Sequence, residues 1–299
     1  MYRKRTDLAM EARELWRESA EEQTQLSGVI AREYAREGCN VTHIQITDQQ
    51  GVEALGKPVG RYITVELEGL QDPEGFHNAV ETIAAELSPL LEAARGGHVL
   101  VVGLGNRAIT PDAIGPAVIE QMMVTRHLVD RLPEMFGHLR PVSALSPGVL
   151  GTTGMESAEI IKGVVERTRP ELVLLFDALA SRSLSRLCRT LQLADTGITP
   201  GSGVGNARAA LNQESLGVPV VAIGVPTVVE AATLLTDLAD EAGLTELDEQ
   251  TLKGYTGNLI VTPKDIDKNI EEIARVGAFA ANRALHPSLS QEEIAAYLA

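Results

Sequence analysis

Two aspartates stand where the sequence predicts that buried chain segments end or helices begin, and carboxylates in such places can do chemistry. Asp177 closes the very apolar run ELVLLFD (Glu171–Asp177), where an unpaired carboxylate would be costly. Asp112 lies in a loop rich in Pro and Gly, just before a predicted helix. Brought together, two carboxylates can polarise a water molecule, share a proton or hold a metal ion. The alternative is structural: Asp112 would cap a helix at Gly115, and Asp177 would cap one that starts near Ala178.

The elements that must position these carboxylates are buried strands that alternate with helices. Continuous apolar runs, typical of strands buried on both faces, begin at His98 and cover Glu171–Asp177 and Val218–Val225. Helical patterns lie between them, at Ala117–Arg131 and Ser157–Arg167. This alternation predicts an α/β fold with a doubly wound, mainly parallel sheet. Ligands of such sheets bind at the carboxyl ends of the strands.

Further elements are predicted on either side of this alternating region. Alternation of apolar and polar residues predicts two extra N-terminal strands, Val41–Thr47 and Arg61–Leu67, which we expect to pair in antiparallel fashion. Cys188 lies within an apparent strand. The other predicted elements are a helix at Thr6–Glu22, a helix at Phe76–Ala94, an acidic loop at Glu241–Gln250, a strand at Asn258–Val261 and a helix that starts near Pro263.

The composition restricts the classes of function. The chain has 299 residues, of which 44% are hydrophobic, and a formal net charge of −15, so its surface repels nucleic-acid phosphates and anionic lipids. Its two cysteines, Cys39 and Cys188, are far apart and show no CxxC spacing, which predicts reduced thiols. Without a signal peptide or a run of ~18 apolar residues, we expect a cytoplasmic protein that does not span a membrane.

Other chemical signatures are weaker. The turn after the first buried strand reads G-L-G-N-R-A, but Pro111 follows soon and no acid ends the next strand, so nucleotide binding is disfavoured. The sequence contains neither a G-x-S-x-G nucleophile elbow nor an HExxH zinc motif. Among the six histidines, only His127 is a candidate for a site.

Nine stretches, in order along the whole chain, resemble the germination protease family of endospore-forming bacteria, whose members degrade small acid-soluble spore proteins. They are RTDLAMEA (Arg5–Ala12), GKPVGRYITVE (Gly56–Glu66), VVGLGNRAITPDAIGP (Val101–Pro116), TRHL (Thr125–Leu128), PVSALSPGVLGTTGMES (Pro141–Ser157), FDALASRS (Phe176–Ser183), DTGITPGSGVGN (Asp195–Asn206), VPVVAIGVPTVVEA (Val218–Ala231) and NLIVTPKDID (Asn258–Asp267). The resemblance implies a homotetramer of the forespore or spore core with a fold related to that of hydrogenase-maturation proteases. It assigns the catalytic roles to Asp112 and Asp177, and it leaves open both an aspartic mechanism and a divalent metal held by the same two residues.

The N-terminal segment looks like a copy of the family's substrate. The family cuts after an acidic residue and before a hydrophobic residue that is followed by Ala, and Thr6-Asp7-Leu8-Ala9 has this arrangement. The resemblance therefore implies a zymogen that cleaves itself between Asp7 and Leu8, with residues 1–7 as the propeptide and residues 8–299 as a single peptidase domain. The same residues also fit a helix start that is capped by Thr6 or Asp7. This propeptide and the region around Glu241–Thr256 are shorter than in the family, which leaves zymogen control and subunit packing open.

Several residues are candidates for substrate binding. Backbone N–H groups of glycine loops could hold the substrate or its oxyanion, which selects Gly105, Asn106, Gly203 and Gly205. An acidic substrate side chain needs a basic partner, and the candidates are Arg126, Arg182 and Arg208, with His127 beside the first of them.

Two alternative functions remain open at this point. One is a hydrogenase-maturation type endopeptidase, against which the propeptide-like RTDLAME counts. The other is a nonenzymatic nucleotide-binding α/β protein, which would tolerate changes at Asp112 and Asp177.

Overall fold

A nine-stranded mixed sheet with helices on both faces organises the chain. The computed structural model describes residues 4–19, 26–205, 208–243, 254, 256 and 259–299. Within them the strands are β1 (Val29–Arg36), β2 (Cys39–Ile46), β3 (Gly60–Glu66), β4 (Val99–Gly103), β5 (Val142–Leu145), β6 (Leu172–Ser181), β7 (Thr190–Ala194), β8 (Val220–Glu230) and β9 (Ile260–Val261). The predicted loop at 241–250 falls almost wholly outside the described residues, as do residues 1–3 of the predicted propeptide.

Twelve helices have both ends within these ranges, along with four 3₁₀ turns, and residues 254 and 256 are also helical. The helices are α1 (Ala9–Ser19), α2 (Gln49–Leu55), α3 (Pro73–Leu87), α4 (Ile114–Ile119), α5 (Arg126–Arg131), α6 (Pro133–Phe136), α7 (Leu150–Thr153), α8 (Ser157–Thr168), α9 (Gln213–Leu216), α10 (Ala231–Glu241), α11 (Ile266–Leu285) and α12 (Gln291–Leu298). The 3₁₀ turns are Ser88–Ala94, Thr110–Asp112, Leu184–Arg186 and Ser202–Val204. None of the helices in the described ranges combines the length and apolarity needed to cross a bilayer.

The sheet is mixed, so the prediction of a mainly parallel sheet is wrong in its proportion. The strand order is β1-β2-β3-β7-β8-β6-β4-β5, with β9 beside β8. The pairs β5–β4, β4–β6 and β6–β8 are parallel, as the buried apolar runs indicated, but the remaining pairs are antiparallel. The predicted antiparallel pairing of the two early strands, β2 and β3, is confirmed. The relation to hydrogenase-maturation proteases stays a prediction.

Strand β1 had no counterpart among the sequence-based expectations. Most of its residues are exposed, so its sequence lacks the apolar periodicity of a half-buried strand. It pairs with β2 through a two-residue turn at Glu37 and Gly38, whose φ angles are 44° and 76°. Two positive φ angles define the turn that matches the natural twist of a hairpin, which forces the antiparallel arrangement at this edge.

Both faces of the sheet are covered, as a doubly wound arrangement requires. Side chains alternate along each strand, so Val99 and Val101 of β4 pack with the core formed by α3, α4 and α11. Leu100 and Val102 pack on the opposite face, with α8. Further along that second face, the start of the chain packs through Leu8, Ala9 and Met10 against Ile44 and Ile46 of β2, together with Tyr62 of β3.

Two local predictions are wrong, and in both cases a distant residue is the cause. The helix predicted at Ala117–Arg131 is interrupted between α4 and α5. There the buried side chain of Asn282 accepts a hydrogen bond from Met123 N and donates one to Gln121 O, each at 3.0 Å. Cys188 is buried but lies in a turn before β7, with a φ of 54°, where its N–H donates to Pro226 O at 2.7 Å.

Candidate active site

Asp177 lies within β6 rather than at its end. The strand continues to Ser181, and Asp177 is paired with Gly224 of β8. Its side chain shares one face of the sheet with Leu175 and Leu179, and only 6% of the residue is exposed. The expectation that Asp177 ends its strand is therefore wrong, and so is the alternative that it caps a helix near Ala178. A buried carboxyl group in the middle of an apolar strand is costly and calls for a functional explanation.

Asp112 is held in the loop that follows β4. The N–H of Asn106 donates to both Asp112 O, at 3.0 Å, and Asp112 Oδ2, at 2.9 Å. Gly105, at φ 111°, permits this closure, because a Cβ there would lie 2.0 Å from Asp112 O. Thr227 Oγ1 donates to Pro111 O at 2.6 Å and ties the loop to β8. Asp112 therefore faces its own loop, and its carboxylate does not cap α4.

The two aspartates line one cleft of about 280 Å³ at the carboxyl ends of the parallel strands. Asp7, Gly105, Gly203 and Arg208 also line this cleft.

Burial is the main cause of a pKa for Asp177 well above its usual value, and the negative charges of Asp112 and Asp7 add to it. Burial also raises the pKa of Asp112, but the hydrogen bond from Asn106 N and the charge of Arg208 oppose the shift. The pKa of Asp177 is therefore raised further than that of Asp112, which favours Asp177 as the protonated member of the pair.

The N-terminal segment places Asp7 in the cleft. The N–H of Asp7 donates to Ala180 O at 2.9 Å. Its carboxylate accepts hydrogen bonds from Ala180 N and from Ser202 Oγ, both at 2.8 Å. Leu8, the next residue, is fully buried. Asp7 is thus held in the cleft that the two aspartates line, and the buried Leu8 follows it.

Gln192, on β7, binds the main chain both before and after Leu8. Its Nε2 donates to Asp7 O at 3.2 Å, and its Oε1 accepts from Ala9 N at 2.7 Å. One side-chain amide therefore bridges the carbonyl of the Asp7–Leu8 peptide bond and the N–H two residues later. Sequence reasoning missed Gln192, because nothing in its local sequence marks it.

Two of the glycines expected to bind substrate lie against this segment. A Cβ on Gly203 would be 2.1 Å from Asp7 Oδ2, so the glycine leaves room for the carboxylate. A Cβ on Gly205, at φ 72°, would be 2.2 Å from Arg5 Nη1. Gly105 and Asn106, the other two candidates, shape the Asp112 loop.

Helix α1 is anchored by a buried acid that sequence reasoning also missed. Glu11 has no exposed surface. Its carboxylate accepts from Arg182 N at 2.6 Å and Ser183 N at 3.1 Å, and it pairs with Arg186 Nη1 at 2.9 Å. Thr6 Oγ1 donates to the same carboxylate at 2.5 Å. These contacts fix the segment on both sides of the Asp7–Leu8 bond.

The basic candidates are distributed unequally. Arg208 lines the cleft and forms an ion pair with Glu156 at 3.1 Å. Arg182 pairs with Glu18 and Asp237, each at 2.9 Å, so it holds helices in place. Arg126 and His127 lie on α5 and are not among the residues that line the cleft.

Lys57 is a cation that was not among the candidates. It follows α2 and lines an adjoining cavity of about 240 Å³, together with Asp7, Gln192 and Ser202. Burial lowers the pKa of the Lys57 ammonium, and the negative charges of Asp7 and Glu11 oppose this shift. Lys57 belongs to the stretch GKPVGRYITVE, which carries part of the family resemblance and was the available signal.

A metal ion would find few ligands in this cleft. No group of three or more His, Cys, Asp or Glu side chains in the described part of the chain is arranged to hold one. Asp112 and Asp177 are therefore the residues that would bind a divalent cation, and such an ion would supply Lewis-acid polarisation of a water molecule. That possibility stays a prediction.

The fold and the cleft define the chain as an α/β protein with a paired-carboxylate site. A model that describes the germination protease family matches residues 9–242. The germination protease of Caldanaerobacter subterraneus subsp. tengcongensis is 47% identical, over 97% of this chain and 96% of that protein. Those of Clostridium perfringens and Bacillus cereus are 42% and 40% identical, over at least 97% of every chain. The chain belongs to the germination protease family and is a protease. Membership of this family favours the predicted germination protease over a hydrogenase-maturation type endopeptidase and over a nonenzymatic nucleotide-binding protein.

Proposed function

We propose that the chain is an endopeptidase that starts the degradation of small acid-soluble spore proteins during germination, and that it is made as a zymogen which cleaves its own Asp7–Leu8 bond. The observation that carries the proposal is the position of Asp7, which lines the cleft that contains Asp112 and Asp177. Its carboxylate accepts hydrogen bonds from Ala180 N and Ser202 Oγ, and its carbonyl oxygen accepts one from Gln192 Nε2.

The electrostatics of the cleft give each carboxyl group a role in hydrolysis. Asp112, the more readily ionised member, takes a proton from a water molecule, and the water oxygen attacks the carbonyl carbon of Asp7. Gln192 Nε2 donates to the carbonyl oxygen as negative charge develops there. Asp177 gives its proton to the leaving amine of Leu8. The C–N bond breaks, leaving a carboxylate on Asp7 and a new amino terminus on Leu8.

The surroundings of Asp7, Leu8 and Ala9 support cleavage after an acidic residue and before a hydrophobic residue that is followed by Ala. The Asp7 carboxylate accepts two hydrogen bonds and shares a cavity with the Lys57 ammonium. Leu8 and Ala9 are both fully buried, in sites that match a large apolar and a small side chain. Lys57 is therefore our candidate for the cation that recognises the acidic side chain.

The remaining parts of the proposal rest on the family. Residues 1–7 would be the propeptide and residues 8–299 one peptidase domain, acting in the spore core. The family resemblance supports a homotetramer. The exposed apolar side chains of Leu235, Leu238 and Leu259 are of the kind that a contact between subunits covers, whatever the number of subunits. Sedimentation of the purified chain would give the mass of the assembly.

The test is intact mass and N-terminal sequencing after incubation at mildly acidic pH. Wild type is expected to lose residues 1–7 and begin at Leu8, whereas Asp112→Asn and Asp177→Asn stay intact. Asp72→Asn is the matched control, because Asp72 is exposed and its side chain caps nothing. Equal trimming of wild type and both cleft variants would refute the proposal.

A further inference from the structure

The segment that precedes the Asp7–Leu8 bond continues from the cleft onto an acidic surface. Lys4 Nζ lies 2.5 Å from Asp237 Oδ1 and 2.7 Å from Asp240 Oδ2, both on α10. Its side chain is only 13% exposed and that of Asp237 18%, so their ion pair is largely shielded from water, whereas the Asp240 side chain is 45% exposed. Burial acts to lower the pKa of the Lys4 ammonium, but the hydrogen bonds to Asp237 and Asp240 outweigh it and raise the pKa.

Arg5 is bound at a second acidic site, next to the Asp237–Asp240 pair that binds Lys4. Its Nη1 lies 3.1 Å from Glu230 Oε1, at the end of β8. The Arg5 backbone N–H donates to Thr233 Oγ1 at 3.3 Å, and that hydroxyl donates to Glu230 Oε2 at 3.2 Å. Gly205 lies against the guanidinium, where a Cβ would be 2.2 Å from Nη1. Main chain and side chain of Arg5 are thus held by the same small group.

The seats are built by the body of the protein, and the basic residues belong to the piece that would be removed. Counting back from the proposed cut, Asp7 is the first residue, Arg5 the third and Lys4 the fourth. We propose that Glu230 and the pair Asp237–Asp240 form two acidic subsites that select Lys or Arg at the third and fourth positions before the cleaved bond in protein substrates. This inference rests on the proposed function.

Charge supplies the physical reason for such subsites. The chain carries a formal net charge of −15, and its proposed substrates present an acid at the cut, so the general field of the protein opposes their approach. Basic residues a few positions upstream offset that repulsion locally. Proteins that bear an acid-hydrophobic-Ala sequence but lack an upstream cation would then be poor substrates.

The first arm of the test measures how firmly the acidic subsites hold the N-terminal segment, and it does not depend on catalysis. Hydrogen exchange is followed at the Asp7 amide in the full chain that carries Asp177→Asn, because this N–H is bonded to Ala180 O. Adding Glu230→Gln or Asp240→Asn is expected to speed exchange about threefold to tenfold. Asp240 is chosen over Asp237, which also holds Arg182. Glu272→Gln is the control, since it removes only a surface pair with Lys268 on α11.

The second arm measures selectivity with peptides that share the sequence Asp-Leu-Ala. One peptide carries Lys and Arg at the fourth and third positions before the cut, and the others carry norleucine in place of Lys or citrulline in place of Arg. Wild type is expected to show a kcat/KM about tenfold higher for the charged peptide than for either neutral one. Glu230→Gln should reduce the citrulline effect to within about twofold. Asp240→Asn should lower the norleucine effect to about threefold, because Asp237 still pairs with the Lys side chain, while Glu272→Gln keeps the wild-type preference.

The outcomes separate this inference from the function on which it rests. Equal kcat/KM values for charged and neutral peptides, or a preference unchanged in both variants, would overturn the acidic subsites while leaving the peptidase intact. If no peptide is cut at all, the proposed function fails, and the exchange arm alone decides whether the seats bind cations. Unchanged exchange in Glu230→Gln and Asp240→Asn would then refute the subsites.

Discussion

Replacing Gly203 with alanine is expected to slow cleavage at Asp7–Leu8 by orders of magnitude while leaving the fold intact. The new Cβ would lie 2.1 Å from Asp7 Oδ2 and 2.7 Å from the Cβ of Ala180. The φ angle of Gly203 is outside the left-handed region, so alanine adds no backbone strain there. The Asp7 carboxylate is the end of a side chain and can move, whereas Ala180 is fixed in β6. The clash with the carboxylate is therefore relieved by expelling Asp7 from its position in the cleft, and the clash with Ala180 by a shift of the turn Ser202–Val204 that carries Gly203.

The size of the effect follows from the contacts that are lost. To reach ordinary van der Waals distance the carboxylate must move by roughly 1 Å, which breaks its hydrogen bonds with Ala180 N and Ser202 Oγ. Hydrogen bonds to a charged group are worth about 1.5–3 kcal/mol each. Losing about 3–6 kcal/mol at ~1.4 kcal/mol per tenfold gives processing that is roughly 10²–10⁴-fold slower.

The assay is the first-order rate of appearance of the chain that begins at Leu8, followed by mass spectrometry alongside thermal unfolding. Gly163→Ala is the matched control, because Gly163 lies within α8 and a Cβ there meets nothing within 4 Å. The control should process like wild type and gain up to about 1 kcal/mol of stability. Processing of Gly203→Ala within threefold of wild type would refute the reasoning, since Asp7 would then not need its seat.

Three further substitutions probe the cleft and the adjoining cavity. Because burial and nearby negative charges raise the pKa of Asp177, ionising it destabilises the folded state as the pH rises; Asp177→Asn should therefore match wild type in Tm near pH 4 and exceed it increasingly towards pH 8, and a gap that shrinks with pH would contradict this. Gln192→Ala should slow processing about 10²-fold, by loss of a donor to the Asp7 carbonyl, whereas Gln121→Ala should not. Lys57→Met should reduce the kcat/KM preference for Asp over Asn before the cut about tenfold; an unchanged ratio would assign recognition elsewhere.

The sequence was sufficient to predict the two aspartates of the cleft, because the signal was local. An acid next to a run of buried apolar residues is unusual whether it lies within the strand or at its end. Asp177 was therefore recognised, although its strand ends four residues later than predicted. Asp112 stood out through its loop. Gln192 and Lys57 were not predicted, because each is ordinary in its own segment. They gain a role only when β7 and the chain after α2 converge on Asp7.

The fold was predicted well where buried strands show as apolar runs in the sequence. It was predicted poorly where a contact with a distant residue determines the local structure. The parallel strands β4, β6 and β8 are buried on both faces, and their apolar runs show it. The break between α4 and α5 has no comparable mark, because it depends on Asn282, about 160 positions away along the chain. Local periodicity cannot contain such a contact, so the helix at Ala117–Arg131 was predicted too long.

The two interpretations of Thr6-Asp7-Leu8, as a helix cap or as a bond to be cut, make different demands on the Asp7 carboxylate. A cap would use it to accept from the first N–H groups of α1. Instead its two oxygens accept from Ala180 N, which lines the cleft, and from Ser202 Oγ, which lines the adjoining cavity. The start of α1 is served by other residues: Gln192 Oε1 accepts from Ala9 N, and Thr6 Oγ1 accepts from Leu8 N. Since the helix begins without the Asp7 side chain, the helix itself gives no reason for an acid at position 7, which supports the proposal that the cleft recognises this carboxylate.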